Sequence, residues 1–241
     1  MNETIYTIPI NEAFGRYDGC PMCRLYHDLE KSSLDFIMGA AMMEPDVRIK
    51  TNEQGFCRKH LDTMLAENNK LSLALMLESR LPELDKSVFG CTLEAADKKY
   101  ANKMPFAQAR NSFQKLVGIS RDAAGGCYVC GRVSAFMEHY YENIIHMWKK
   151  EPEFREKFGR QPFFCVPHYA DLLAYAQHCL PRKTQPEFIR ELTRICRAYL
   201  AALSGDISEF CKSFDYRFAG RGMSGGAHTA VERAAAFLAG E

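Results

Sequence analysis

Two sets of four metal-ligand residue types recur along this chain at almost the same spacing. Cys20-Pro21-Met22-Cys23 is followed by Cys57-Arg58-Lys59-His60, and Cys127-Tyr128-Val129-Cys130 by Cys165-Val166-Pro167-His168. The first and third cysteines are 37 residues apart in one set and 38 in the other. Neighbouring residues keep step. Glu44-Pro45-Asp46-Val47-Arg48 and Glu151-Pro152-Glu153-Phe154-Arg155 both begin 24 residues after the first cysteine of their set, and Lys50 corresponds to Lys157. After one inserted residue, Phe56 matches Phe164 and Leu65-Ala66 matches Leu173-Ala174. Self-similarity at about 107 residues predicts two copies of one structural unit.

The residue types point to a metal. Zinc prefers thiolate sulfur and imidazole nitrogen in a tetrahedron, which one C-x-x-C knuckle and one C-x-x-H turn can close with four protein ligands. Taken in chain order, Cys20, Cys23, Cys57 and His60 are expected to hold one zinc, and Cys127, Cys130, Cys165 and His168 a second. A complete set of four leaves no position for water, which argues for structural rather than catalytic zinc. An iron–sulfur cluster is the alternative, disfavoured because four cysteines are its usual ligands and neither set has a fourth nearby. Thiol–disulfide chemistry at Cys-Pro-Met-Cys is disfavoured by the helical flanks, and covalent haem by Arg24 and Gly131 where histidine would be needed.

With 241 residues and 47% hydrophobic content, the chain can bury a core as one large domain or two smaller ones. A net charge of +1, from 31 basic and 30 acidic residues, supplies no field for nucleic acid or an anionic membrane. The Cys-to-His spacing is not that of a short-looped finger, so nucleic-acid binding is not expected. The N-terminus carries Glu3 where a secretory signal would be positive, and no apolar run approaches the roughly 20 residues of a membrane span. A cytoplasmic protein is expected, and in a reducing compartment paired cysteines read as metal ligands.

The fold class expected is all-α. After the second knuckle, Val133, Phe136, Met137, Tyr140, Tyr141, Ile144, Met147 and Trp148 form one helical stripe. Leu25, Leu29, Phe36, Ile37 and Ala40 are its counterpart after the first. Each helix should stop near its Glu-Pro pair, where proline suits the first turn of a short return helix. A further helix then leaves each C-x-x-H turn, through Leu61, Met64, Leu65, Leu71 and Leu75 or through Tyr169, Leu172, Leu173 and Ala176. Helices are also expected over Phe106 to Val117 and from Gln185 towards Phe214, with an interruption at Gly205. The domain scheme is an extended segment 1–19, a first metal-clamped repeat 20–104, a connecting helix and Gly loop 105–126, a second repeat 127–204, and a C-terminal extension 205–241.

The remaining thiols, Cys91, Cys179, Cys196 and Cys211, read as inert core or partly buried residues. His27, His139, His146 and His178 read as surface or hydrogen-bonded histidines. No nucleophile elbow, Walker loop or dinucleotide fingerprint occurs. Gly220 to Gly226 reads as a mobile linker before a short helix from Ala227 to Leu238.

The opening Thr7-Ile8-Pro9-Ile10-Asn11-Glu12-Ala13-Phe14, with Cys20-Pro21-x-Cys23, Met43-Glu44-Pro45-Asp46-Val47-Arg48, Gly55-Phe56-Cys57-x-x-His60 and Asp215-Tyr216-Arg217, resembles an uncharacterised bacterial Cys-rich family, domain of unknown function 6062. The resemblance implies that the eight cysteine and histidine positions form a metal-binding pattern, and it brings no activity with it. The expected function is a zinc-stabilised binding or adaptor protein with protein partners or self-association. The alternatives are a metal- or redox-responsive regulator, or an enzyme with a site between the repeats, for which Glu44, Arg48, Glu151 and Arg155 are candidates because they recur.

Overall fold

In the computed structural model, which describes residues 5–67, 69–94, 106–218 and 222–240, the described chain is helical throughout and contains no strand. The helices are α1 (Thr7–Phe14), α2 (Pro21–Met38), α3 (Pro45–Gln54), α4 (Arg58–Ala66), α5 (Lys70–Leu84), α6 (Phe106–Gly125), α7 (Tyr128–Lys150), α8 (Pro152–Gly159), α9 (Val166–Cys179), α10 (Gln185–Ser213), α11 (Gly225–His228) and α12 (Ala230–Ala239). They group into two units, one of residues 1–28 with 135–241 and the other of residues 29–134. This division differs from the expected tandem arrangement: its boundaries fall inside α2 and α7 rather than between the two Cys/His segments.

Both knuckles open a long helix; α7 runs to Lys150, directly before its Glu-Pro pair, whereas α2 ends at Met38 and a 3-10 turn over Ala40–Met43 precedes Glu44, and both Glu-Pro pairs begin a short helix. Glu44 and Glu151 take extended N-cap conformations, and Pro45 and Pro152 occupy the first turns of α3 and α8, where a missing N–H costs nothing. Arg155 is held by Glu187 and Glu191 at 2.6 and 3.3 Å and lies over the Trp148 ring. Arg48 donates to the Leu75 carbonyl at 2.7 Å. These contacts give the recurring charges architectural roles.

The discontinuous unit has an aromatic core. Phe158 is fully buried against Phe14, Phe164 and Phe188, and Trp148 meets Phe188 edge-on while its Nε1 donates to Glu191. The α7 stripe supplies much of this core as expected, with Val133 in the other unit. The contiguous unit packs aliphatic and methionine side chains, among them Leu34, Ile37, Met38, Met64, Leu73 and Met76.

Several expectations are corrected. Within the segment expected to be extended, Thr7–Phe14 form helix α1 because Thr7, Ile10, Ala13 and Phe14 fall on one buried helical face. On α2, Phe36 is exposed and Ser33 and Leu34 take the inner positions beside Ile37, while Ala40 lies beyond the helix in a 3-10 turn and is exposed. The helix expected to run from Leu61 to Leu75 is two helices, with Asn69 capping α5 by accepting from the Ser72 amide. Helix α6 continues past Val117 to Gly125, and α10 runs through Gly205 without a break. Cys91, Cys179 and Cys211 are exposed, whereas Cys196 is buried. Of the tail, Gly220 and Arg221 lie outside the described residues; from Ser224 onward the chain is helical earlier than expected, because the Ser224 hydroxyl accepts from the Ala227 amide.

The contrast between core and surface aromatics has a measurable consequence. Phe158→Ala is expected to lower unfolding free energy by about 3–5 kcal/mol, while Phe214→Ala, 78% exposed, should stay within roughly 0.5 kcal/mol; urea unfolding followed by circular dichroism distinguishes them.

Candidate metal centres

The eight candidate ligands come together as two groups of four, with the ligand atoms of each group within 4.8 Å of one another. The partners are exchanged relative to the sequence expectation. Cys20 and Cys23 meet Cys165 and His168, and Cys57 and His60 meet Cys127 and Cys130. Each centre thus joins the knuckle of one segment to the C-x-x-H turn of the other.

The paired helices differ in length. At about 1.5 Å per residue, the 18 residues of α2 span about 27 Å against about 15 Å for the 10 of α3. For α7 and α8, with 23 and 8 residues, the figures are about 34 and 12 Å.

Local packing selects the partner that is used. In the contiguous unit the Tyr128 amide donates to the Gly55 carbonyl at 2.9 Å, just before Cys57 on one side and just after Cys127 on the other. Gly126 sits so close to α3 that a Cβ there would lie 2.4 Å from the Gln54 carbonyl oxygen. Gly55 has φ +64, and the Arg80 guanidinium packs where its side chain would project. In the discontinuous unit Gln161 Nε2 donates to the Phe14 carbonyl at 2.8 Å and Phe14 packs on Phe164, drawing the loop before Cys165 to the segment that leads into Cys20.

The first centre is the more enclosed. Cys20, Cys23 and Cys165 are buried and His168 is half-buried. His168 Nδ1 lies 3.0, 3.4 and 3.7 Å from the sulfurs of Cys165, Cys23 and Cys20, and the Cys23 and Cys165 sulfurs are 3.6 Å apart. Burial opposes charging the imidazole, yet hydrogen bonds that the charged ring would donate to the Cys165, Cys20 and Cys23 sulfurs prevail and push the His168 pKa up to about 12. Cys196 Sγ donates to the Phe164 carbonyl at 3.4 Å, fixing the residue before Cys165, and burial pushes this thiol up to about 11. The end of α12 rests on the same centre: a Cβ on Gly240 would stand 3.8 Å from the sulfurs of both Cys23 and Cys165.

The second centre is more open, with Cys130 exposed and Cys57 half-buried around a His60 that is 1% exposed. His60 Nδ1 lies 3.2 Å from Cys57, 3.2 Å from Cys127 and 3.4 Å from Cys130, and the Cys57 and Cys130 sulfurs are 3.8 Å apart. Burial raises the Cys57 thiol, but the His60 amide and the Cys127 and Cys130 thiols outweigh it and draw it below its ordinary value. Burial, Cys127 and Cys57 push Cys130 up to about 12. Three crowded sulfurs repel one another's charge, a repulsion that a cation among them would relieve.

These distances fit one ion. A tetrahedron with metal–sulfur bonds of about 2.3 Å and metal–nitrogen bonds of about 2.0–2.1 Å has edges of roughly 3.8 Å between sulfurs and 3.5 Å between sulfur and nitrogen. Cys57 and Cys165 are N-cap residues of α4 and α9, and Cys20 and Cys127 immediately precede α2 and α7. The partial positive charge of a helix N-terminus complements an anionic ligand set. Two Cys₃His clusters able to hold a metal therefore stand at four helix starts. His27, His139, His146 and His178 are all exposed and belong to neither.

Sequence reasoning did not single out Glu30, whose Oε1 lies 2.9 Å from His60 Nε2, nor the close-approach glycines Gly55 and Gly126. Glu30 follows Cys23 by two helical turns on α2, a spacing with no meaning until the partners are known to be exchanged.

The exchange can be checked chemically. Oxidation of the metal-free chain followed by peptide mapping should give Cys23–Cys165 and Cys57–Cys130 among the cross-links between motifs; a predominant Cys23–Cys57 cross-link would contradict the arrangement.

No curated protein and no solved structure matches this sequence. A family model does, over residues 1–241, under the description "Family of unknown function (DUF6062)". The chain belongs to that family of unknown function.

Proposed function

We propose that this chain is a zinc-stabilised helical protein of the cytoplasm that acts as a binding or adaptor module, with two zinc ions per molecule. Cys20, Cys23, Cys165 and His168 hold one, and Cys57, His60, Cys127 and Cys130 the other. The observation that carries the reading is four-ligand closure at single-ion distances, which leaves no coordination position for a reacting water. Sulfurs 3.6–3.8 Å apart suit one ion better than a multi-iron cluster, whose cysteines bind different irons and stand further apart. Ten free thiols fit a reducing compartment. A protein partner or a second copy is supported by the large apolar side chains left exposed on the contiguous unit, among them Met43, Leu71, Leu81, Phe89 and Leu93.

A second reading, a metal- or redox-responsive regulator, is favoured by the unequal enclosure of the centres. Cys130 is open to solvent at one, whereas all three cysteines of the other are buried. Oxidation of Cys130 would remove a ligand and loosen the starts of α4 and α7 together.

Elemental analysis of protein purified without added metal should find about two zinc per chain and no visible absorbance. Chelation should then lower the thermal midpoint and the helical circular dichroism signal. Iron with acid-labile sulfide would overturn the zinc reading, and turnover of a substrate dependent on these ligands would overturn the adaptor reading. Under mild oxidant, the regulator reading expects one zinc to leave first, with modification at Cys130; simultaneous loss of both would count against it.

A further inference from the structure

We infer that Glu30 is the positioning residue of the second centre, fixing His60 as an Nδ1 ligand; this rests on the metal reading proposed above. His60 is buried between two demands. Its Nδ1 faces the three sulfurs at 3.2–3.4 Å, and its Nε2 lies 2.9 Å from Glu30 Oε1. An imidazole that offers a lone pair to a metal at Nδ1 carries its proton at Nε2, and a carboxylate accepting that proton's hydrogen bond sets both the tautomer and the plane of the ring. Glu30 meets this requirement from a side chain only 13% exposed, steadied by the Lys59 ammonium at 2.6 Å from the same oxygen. Lys59 itself belongs to the C-x-x-H turn, so the turn supplies the ligand and also the cation that steadies the ligand's support.

The first centre is supported differently. The side chain beside His168 is Tyr141, with ring centroids 6.5 Å apart, and the Tyr141 hydroxyl donates to Asp171 at 2.8 Å. The first centre has all three cysteines buried, whereas the more open second centre has an imidazole oriented by a carboxylate. Helix α2 serves both: Cys23 is a ligand of one and Glu30 supports a ligand of the other.

The test uses the full chain loaded with cadmium-113, which gives one resonance for each centre, together with zinc competition against a chelator and nitrogen-15 spectra of the histidine rings. Glu30→Ala should weaken retention at the second centre about tenfold to a hundredfold, shift its cadmium resonance and change the His60 ring pattern, with the first centre as in the parent. Glu30→Gln keeps an acceptor oxygen without the charge and should fall between parent and Glu30→Ala. Parent-like affinity and an unchanged His60 pattern in Glu30→Ala would overturn the inference, as would equal weakening of both centres in the two variants. A parent protein that takes up no cadmium would sink the metal reading and this inference with it; a parent with two cadmium ions and an indifferent Glu30→Ala sinks this inference alone.

Discussion

Three sulfurs and an imidazole nitrogen within a few ångströms of one another form an unfavourable arrangement unless a positive charge lies among them, and this chain builds it twice. Desolvation and mutual repulsion would drive such thiolates apart or force them to remain protonated. Here they are held by helix starts whose amides favour negative charge, and by glycine contacts that allow two backbones to touch. The helices meeting at each centre come from distant parts of the chain. Cys23 and Cys165 are 142 residues apart in sequence, and Cys57 and Cys130 are 73. The metal-binding chemistry is therefore also the long-range connectivity of the fold.

The rest of the packing is arranged around that requirement. In the discontinuous unit, α1 and the aromatic cluster of Phe14, Phe158 and Phe164 bring the loop before Cys165 into register. Ser224 bonds to Glu209 and Arg233 to Asp206, tying α11 and α12 to α10, and Phe237 joins Phe163 and Tyr199 near the same loop. In the contiguous unit, the Tyr128 amide bonded to the Gly55 carbonyl and the close approach of Gly126 to Gln54 bring the segments of the second centre together.

Much of this was legible in the sequence, and the limits have physical causes. The eight ligands stood out because zinc chemistry demands particular residue types at short spacing, and α7 because its stripe is long and uninterrupted. The ligand partners were not legible, since proximity along the chain argued for pairing within each segment while the contacts that join the partners, Tyr128 with Gly55 and Gln161 with Phe14, link residues far apart in sequence. Gly126 gave no signal because it works through a distant carbonyl. Phe36 was misplaced because a helical stripe can be drawn through either of two adjacent faces, and only Ser33 and Leu34, packed inward, reveal which is used. Helix α1 is only eight residues long, too short for its apolar positions to show a clear helical period.

The exchange of partners makes the two centres nested rather than consecutive. Every ligand of the second lies between Cys23 and Cys165 in the chain, and residues 29–134 form a continuous stretch. During synthesis, the inner set is complete once Cys130 has emerged, while Cys20 and Cys23 must wait until His168 follows. Two exposed thiols near the N-terminus thus remain without their partners through the making of nearly 150 residues. For a growing chain, that interval is when wrong metals, oxidants and stray disulfides have their best opportunity, and it ends only when the outer bracket closes.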